Sequence, residues 1–197
     1  MTPAKYEQLT FTGNAELIDI TKDGAYIAFS SDNNIFVQDI ASGNTLKLLE
    51  DFISWGGRFT PDGMEILISG KDSMNNNVVL LVPRLGRNVR TINIPWWTRY
   101  TWSPDGKKIA YTNTAWKQIF ILDIISNQDI DSIDTNEDFE FMGSLDWSPN
   151  GKFLSFATIT DPNYTIFTIS VDGKSENKII REINEIGEIV WSPAGDA

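Results

Sequence analysis

A turn signature that recurs five times, short β-type runs at matching distances from each turn, and the lack of any capped helical pattern predict an all-β fold. The architecture expected is a β-propeller of four-stranded antiparallel blades, with four full repeats, an orphan strand at each end, and the character of a fragment of a larger propeller. The turns are Thr21-Lys22-Asp23-Gly24, Thr60-Pro61-Asp62-Gly63, Ser103-Pro104-Asp105-Gly106, Ser148-Pro149-Asn150-Gly151 and Ser192-Pro193-Ala194-Gly195. Their glycines stand 39, 43, 45 and 44 residues apart. Proline presets φ for an early turn position, Asp or Asn bonds the nearby backbone, and glycine takes the φ > 0 corner, so each tetrapeptide joins two antiparallel strands. The first turn departs from the rest in carrying Lys22 where proline stands elsewhere.

The strands follow in order around these turns. A large apolar residue, Ile20, Phe59, Trp102, Trp147 or Trp191, ends the first strand of each unit one position before the Ser or Thr. Second strands are expected over 26–29, 65–68, 108–111 and 153–156, and third strands over 35–40, 79–82, 119–124 and 166–169. Weaker fourth strands follow over 46–49, 89–92, 130–133 and 178–181. Apolar runs on the middle strands are nearly continuous, as sheets covered on both faces require. Polar gaps such as 71–77 are the expected hairpins between second and third strands. Residues 1–197 read as a single propeller domain with repeats at about 8–51, 52–94, 95–140 and 141–185 and a partial fifth over 186–197. The run 6–11 looks like the outer strand that completes a last blade, while the chain stops in mid-blade after Trp191. Open blade edges make self-association possible.

Composition narrows function by exclusion. Sixteen Lys and Arg against 27 Asp and Glu give a net charge of −11, with no basic patch, which argues against a nucleic-acid partner. The absence of cysteine removes thiolate zinc sites and thiol nucleophiles, and the absence of histidine removes the usual general base. There is no Gly-x-Ser-x-Gly elbow, no phosphate loop and no glycine-rich dinucleotide fingerprint. No cofactor and no metal are expected, and no catalytic residue is assigned. The start of the sequence lacks the basic and apolar regions of an export signal, and no run approaches 18 apolar residues, so membrane insertion is not expected. Compartment stays open.

The run Trp102-Ser103-Pro104-Asp105-Gly106-Lys107-Lys108-Ile109-Ala110-Tyr111, with Gln118-Ile119-Phe120-Ile121-Leu122-Asp123 after it, resembles the TolB-type, WD-like propeller repeat. Leu145-Asp146-Trp147-Ser148-Pro149-Asn150-Gly151-Lys152 and the opening run 8–14 resemble it as well. The resemblance covers almost the whole chain, although every Gly-His and Trp-Asp pair of the ordinary WD repeat is missing. It implies a non-enzymatic module that binds a protein, peptide or small ligand. The alternative it implies is the noncatalytic sensory or gating propeller of a larger enzyme, a prolyl-oligopeptidase-type hydrolase or a bacterial serine/threonine kinase.

The most unusual local feature is the aromatic run from Pro95 to Trp102. It spans the loop entering the third repeat, a position expected at the mouth of a propeller channel, where rigid aromatics and arginine favour recognition. Trp96, Trp97 and Arg99 are candidate ligand contacts, as are Trp55 and Arg58, which with Phe141 occupy the equivalent stretches of neighbouring repeats and are expected around the same rim. Trp102, matched by Trp147 and Trp191, is expected to pack between blades. The recurrent Asp23, Asp62 and Asp105 are expected to serve their turns. Asp19 and Asp146 share a position two residues before a turn, but Arg58, Thr101 and Val190 replace them elsewhere, so a metal ring is not supported. The acidic cluster Asp129, Asp131, Asp134, Glu137, Asp138 and Glu140 reads as a solvated outer strand. Gly56 and Gly57 are expected to give a first strand room against its neighbour.

Overall fold

A computed structural model describes residues 13–112, 118–134, 140–160, 163–173, 176–183 and 189–192, with backbone alone for 140–144, 159–160, 163–164 and 176–183. The chain divides into two compact units that meet in sequence between Ile92 and Asn93. Strands make up the regular structure of both, and no helix occurs among the described residues.

The first unit holds two sheets. One runs in sequence order through β1 (Glu16–Ile20), β2 (Tyr26–Ser31), β3 (Asn34–Asp39) and β4 (Thr45–Leu49). The other runs through β5 (Ile53–Phe59), β6 (Glu65–Lys71), β7 (Asn77–Pro83) and β8 (Arg90–Thr91). All neighbours are antiparallel. Ala28, Ile35, Val37 and Leu48 of the first sheet pack with Phe59, Ile66, Ile68 and Val82 of the second in one buried core. That shared core explains the apolar middle strands. β1 lies beside β5, and Gly57 permits the approach: a Cβ there would sit 2.6 Å from the Leu67 carbonyl oxygen and 3.2 Å from Ile18 Cγ2.

The second unit repeats the plan. Its first sheet comprises β9 (Tyr100–Trp102), β10 (Lys108–Thr112), β11 (Gln118–Asp123) and β12 (Gln128–Asp134), and its second β13 (Glu140–Trp147), β14 (Phe153–Thr160), β15 (Asn163–Ser170) and β16 (Glu176–Ile183). Ala110, Ile119, Ile121 and Ile133 pack with Leu145, Trp147, Leu154, Phe156, Phe167 and Ile169. A cross-strand aromatic pair recurs between second and third strands. Phe29 stacks on Phe36, Tyr111 on Phe120 and Phe156 on Phe167, with centroids 5.3, 5.5 and 5.6 Å apart. Ile68 and Leu80 hold the equivalent register in the remaining sheet.

The expected turns share one hydrogen-bond plan. The hydroxyls of Thr21, Thr60 and Ser103 donate to Oδ1 of Asp23, Asp62 and Asp105 at 2.6 Å, and Ser148 donates to Asn150 Oδ1 at 2.9 Å. Those hydroxyls also accept the N–H of Tyr26, Glu65, Lys108 and Phe153 at 2.9 to 3.1 Å. Each Oδ1 accepts a second backbone N–H, from Ala25, Met64, Lys107 or Lys152. The closing glycines sit at φ between +68° and +74°, the corner that glycine takes without strain. The donors, the hydroxyl first, hold the Asp23, Asp62 and Asp105 carboxyls below the ordinary aspartate range.

Three local features differ from the sequence expectation. The hairpin expected over 71–77 is shorter, because Lys71 and Asn77 still pair. The expected fourth strand over 89–92 is shorter, pairing in register at Arg90 and Thr91 with one further bond from the Ile92 N–H to the Val79 carbonyl at 2.9 Å, and the preceding loop turns at Gly86 (φ +72°) and Asn88 (φ +60°). Turns between third and fourth strands take two forms: a bond across four residues from Gly43 N–H to the Asp39 carbonyl and from Asn127 to Asp123, and across three from Gly86 to Pro83 and Gly173 to Ser170, at 2.7 to 2.9 Å. The run 6–11 expected as an outer strand, and 193–195 of the fifth turn, lie outside the described residues.

Candidate binding site

In the second unit, the loop before β9 is fastened at both ends. Ile94 is buried, and the Asn93 N–H donates to Asn127 Oδ1 at 2.9 Å. At the other end the Thr98 hydroxyl donates to the Thr112 carbonyl at 2.5 Å and lies 3.0 Å from the Thr112 hydroxyl. The Thr112 N–H donates to the Arg99 carbonyl at 3.1 Å, and within the loop Thr98 N–H donates to the Pro95 carbonyl at 3.2 Å. Trp96 and Trp97 stand between these anchors. Their rings meet edge to face at 6.4 Å and 73°, and they are 39% and 40% exposed. Two large apolar rings are thus held in one geometry yet remain open to solvent. Arg99 is exposed beside them.

In the first unit Trp55 is the extra residue of a β-bulge, because Ser54 pairs with Gly70 and Gly56 with Ser69. It is 43% exposed, and Gly56 after it takes φ +136°. Arg58 lies three residues further along β5, opposite Leu67, and is partly buried. Of the candidate side chains, the structure brings Trp96 and Trp97 into contact, while Trp55 and Arg58 share a strand. Phe141 falls on β13, where the backbone alone is described.

No family model matches the chain. An uncharacterized protein of Agrobacterium fabrum is 28% identical over 167 residues, covering 80% of this chain and 55% of that protein. The solved structure of a TolB-like protein from Agrobacterium tumefaciens is 23% identical with a TM-score of 0.59, over 85% of this chain and 61% of that one. TolB from Acinetobacter baumannii is 24% identical with a TM-score of 0.63, over 86% of this chain and 44% of that one. The chain therefore spans about half the length of these relatives. Four-stranded antiparallel sheets in sequence order, joined by the same turn and superimposing on TolB, decide the fold. It is the TolB-type β-propeller fold.

Within a TolB-type blade the remaining candidates sort by their partners. Trp102 and Trp147 are buried, as a packing role requires. Of the acidic cluster, Asp129 accepts the Tyr111 hydroxyl at 3.0 Å, Asp134 accepts from Gln118 Nε2, and Asp131 accepts the Ser132 N–H, all on the exposed strand β12. Burial, then the Asp129 carboxylate, pushes the Tyr111 hydroxyl well above the ordinary tyrosine value. Glu137 and Asp138 lie outside the described residues, as does the Glu140 side chain.

Asp19 and Asp146 do something that sequence reasoning missed. Asp19 Oδ2 accepts the Phe59 N–H at 2.7 Å, and Asp146 Oδ2 accepts the Trp191 N–H at 2.9 Å. The first partner, Phe59, ends β5, and the second, Trp191, holds the matching place before the Ser192 position; they lie 40 and 45 residues away. Asp146 Oδ1 also accepts the Thr101 hydroxyl at 3.3 Å, tying β13 to β9. The signal was present in the shared position, two residues before a turn. It names a latch between successive repeats.

Proposed function

We propose that this chain is a non-enzymatic propeller module that binds a protein, peptide or small ligand, with the loop Pro95–Arg99 as its principal contact. The observation that carries this reading is the Trp96–Trp97 pair, about 40% exposed and meeting edge to face at 73° on a loop pinned by Thr98 to Thr112. Surface tryptophans are costly to leave in water, and rigid ones lose little entropy when covered, which is why Trp and Arg dominate binding hot spots. Trp55 and Arg58 are proposed as further contacts in their own unit, Trp55 because a bulge re-aims it outward. The fold agrees with what the resemblance to TolB-type propellers implies.

The test is a selection of peptides from a random library on the immobilised protein, followed by affinity measurements on variants. Trp97→Ala and Arg99→Ala are each expected to weaken the selected peptides at least about tenfold while leaving the melting temperature within a few degrees. Unchanged affinity in both variants would remove the proposal.

A further inference from the structure

We infer that Asn150 is a site of spontaneous covalent modification, its deamidation by the Gly151 nitrogen being gated by the turn that holds both residues. Asn150-Gly151 is the only Asn-Gly pair in the sequence. A glycine offers no side chain to hinder attack by its nitrogen on the preceding amide, and Asn150 is exposed, so water reaches the reacting atoms. The reaction forms a bond from the Gly151 nitrogen to Asn150 Cγ and breaks the Cγ–Nδ2 bond. Ammonia leaves with the proton that the glycine nitrogen gives up. Water then opens the cyclic imide. Breaking the new bond leaves aspartate, whereas breaking the original peptide bond leaves isoaspartate, in which the main chain runs through Cγ.

The turn opposes the first step at both reacting ends. The Gly151 N–H, which must lose its proton, donates to the Ser148 carbonyl at 2.9 Å. Asn150 Oδ1 accepts the Ser148 hydroxyl and the Lys152 N–H, each at 2.9 Å, so the amide is held toward those donors. Ring closure therefore starts from the opened turn, and its rate follows the local opening equilibrium. The sister turns carry the same glycine bond but not the same chemistry. Asp23, Asp62 and Asp105 precede their glycines as carboxylates that the turn keeps ionised, a form that resists attack by a nitrogen. Neutral Asn150 lacks that protection, so of the four turns the fourth relies on its hydrogen bonds. The two products differ in what they do to it. Aspartate at position 150 supplies the carboxylate of the other three turns. Isoaspartate shortens the side chain and lengthens the main chain by a carbon, which breaks the fit to Ser148 and Lys152.

Peptide mapping by mass spectrometry tests this on the full chain, incubated at mildly alkaline pH with and without guanidinium chloride, with a melting curve for every variant. In the unfolded chain Asn150 is expected to deamidate at least about tenfold faster than Asn44, and in the folded chain at least about tenfold slower than when unfolded. Ser148→Ala removes a donor to Oδ1 and the acceptor of the Phe153 N–H, and should raise the folded rate at least about fivefold. Ser148→Thr, which keeps the hydroxyl as Thr21 and Thr60 do, and Thr60→Ala, which opens a turn of the first unit, should each stay within about twofold of the parent. Unfolded Asn150 reacting no faster than Asn44 would overturn the site. Equal rates in folded and unfolded chain, or a folded rate untouched by Ser148→Ala, would overturn the gate. Where Ser148→Ala does not fold, the folded-to-unfolded ratio of the parent chain decides alone.

Discussion

The turn at Ser103 and the loop at Trp97 lie six residues apart in one sheet, and they are built on opposite principles. At Ser103 the hydroxyl is spent within the turn, donating to the Asp105 carboxylate and accepting the Lys108 N–H, and the same bonds recur at Thr21, Thr60 and Ser148. At Trp97 the backbone is fixed by neighbours, and the side chain is left facing solvent in a form no other repeat shares. Repetition marks what the fold needs in every copy. A pinned departure from the repeat marks what one copy is free to use.

The largest effect expected from this contrast is on the turn side. Ser103→Ala removes the acceptor of the Lys108 N–H and the donor to Asp105, and should destabilise the second unit by about 2 kcal/mol in denaturant melts. Asp146→Ala should follow, at about 1 to 2 kcal/mol, because the Trp191 N–H and the Thr101 hydroxyl both lose their acceptor. A silent Asp146→Ala would show that the latch between repeats contributes nothing and would weaken the equation of repetition with stability.

Acid provides a gentler probe of the same turns. The lowered pKa of Asp23, Asp62 and Asp105 means that their stabilising contribution is complete above the unfolded value, about 3.9, and is lost as pH falls through the lower folded value. Stability contributed by these turns should therefore be flat from pH 7 to about 5 and decline below about 4. On acidification the backbone amide resonances of Ala25, Met64 and Lys107 should move, because each bonds an aspartate, while that of Lys152, bonded to Asn150, should not. The smallest change is Asn150→Asp, which gives the fourth turn the charged partner of the other three. It should stabilise by a few tenths of a kcal/mol at neutral pH, with the gain vanishing in acid.

The parts of the fold legible in the sequence were those with local chemistry. Hydroxyl, carboxylate and glycine at fixed offsets specify a turn by themselves, so Thr60 to Gly63 and its counterparts could be read directly, as could the apolar runs on either side. The Asp39 and Asp123 turns were harder to see because each also reads as the end of a strand, and their closing residue alternates between Gly43 and Asn127. The Asp19 and Asp146 latches were illegible as contacts because their partners are backbone N–H groups 40 and 45 residues away, which no side-chain pattern records. At the candidate site the aromatic run was visible in the sequence, but not its anchoring. Thr98 and Thr112 are unremarkable as letters, and only the register of β10 brings their hydroxyls within 3.0 Å.

The most direct test sets Ser103→Ala beside Trp97→Ala and measures both the denaturant midpoint and the affinity for a library-selected peptide in each. The expected result is a crossed pattern: Ser103→Ala lowers the midpoint and binds normally under native conditions, while Trp97→Ala keeps its midpoint within about 0.5 kcal/mol of the parent and loses at least about tenfold in affinity. A Trp97→Ala protein that melts as early as Ser103→Ala and still binds the peptide would contradict the division of labour between turn and loop.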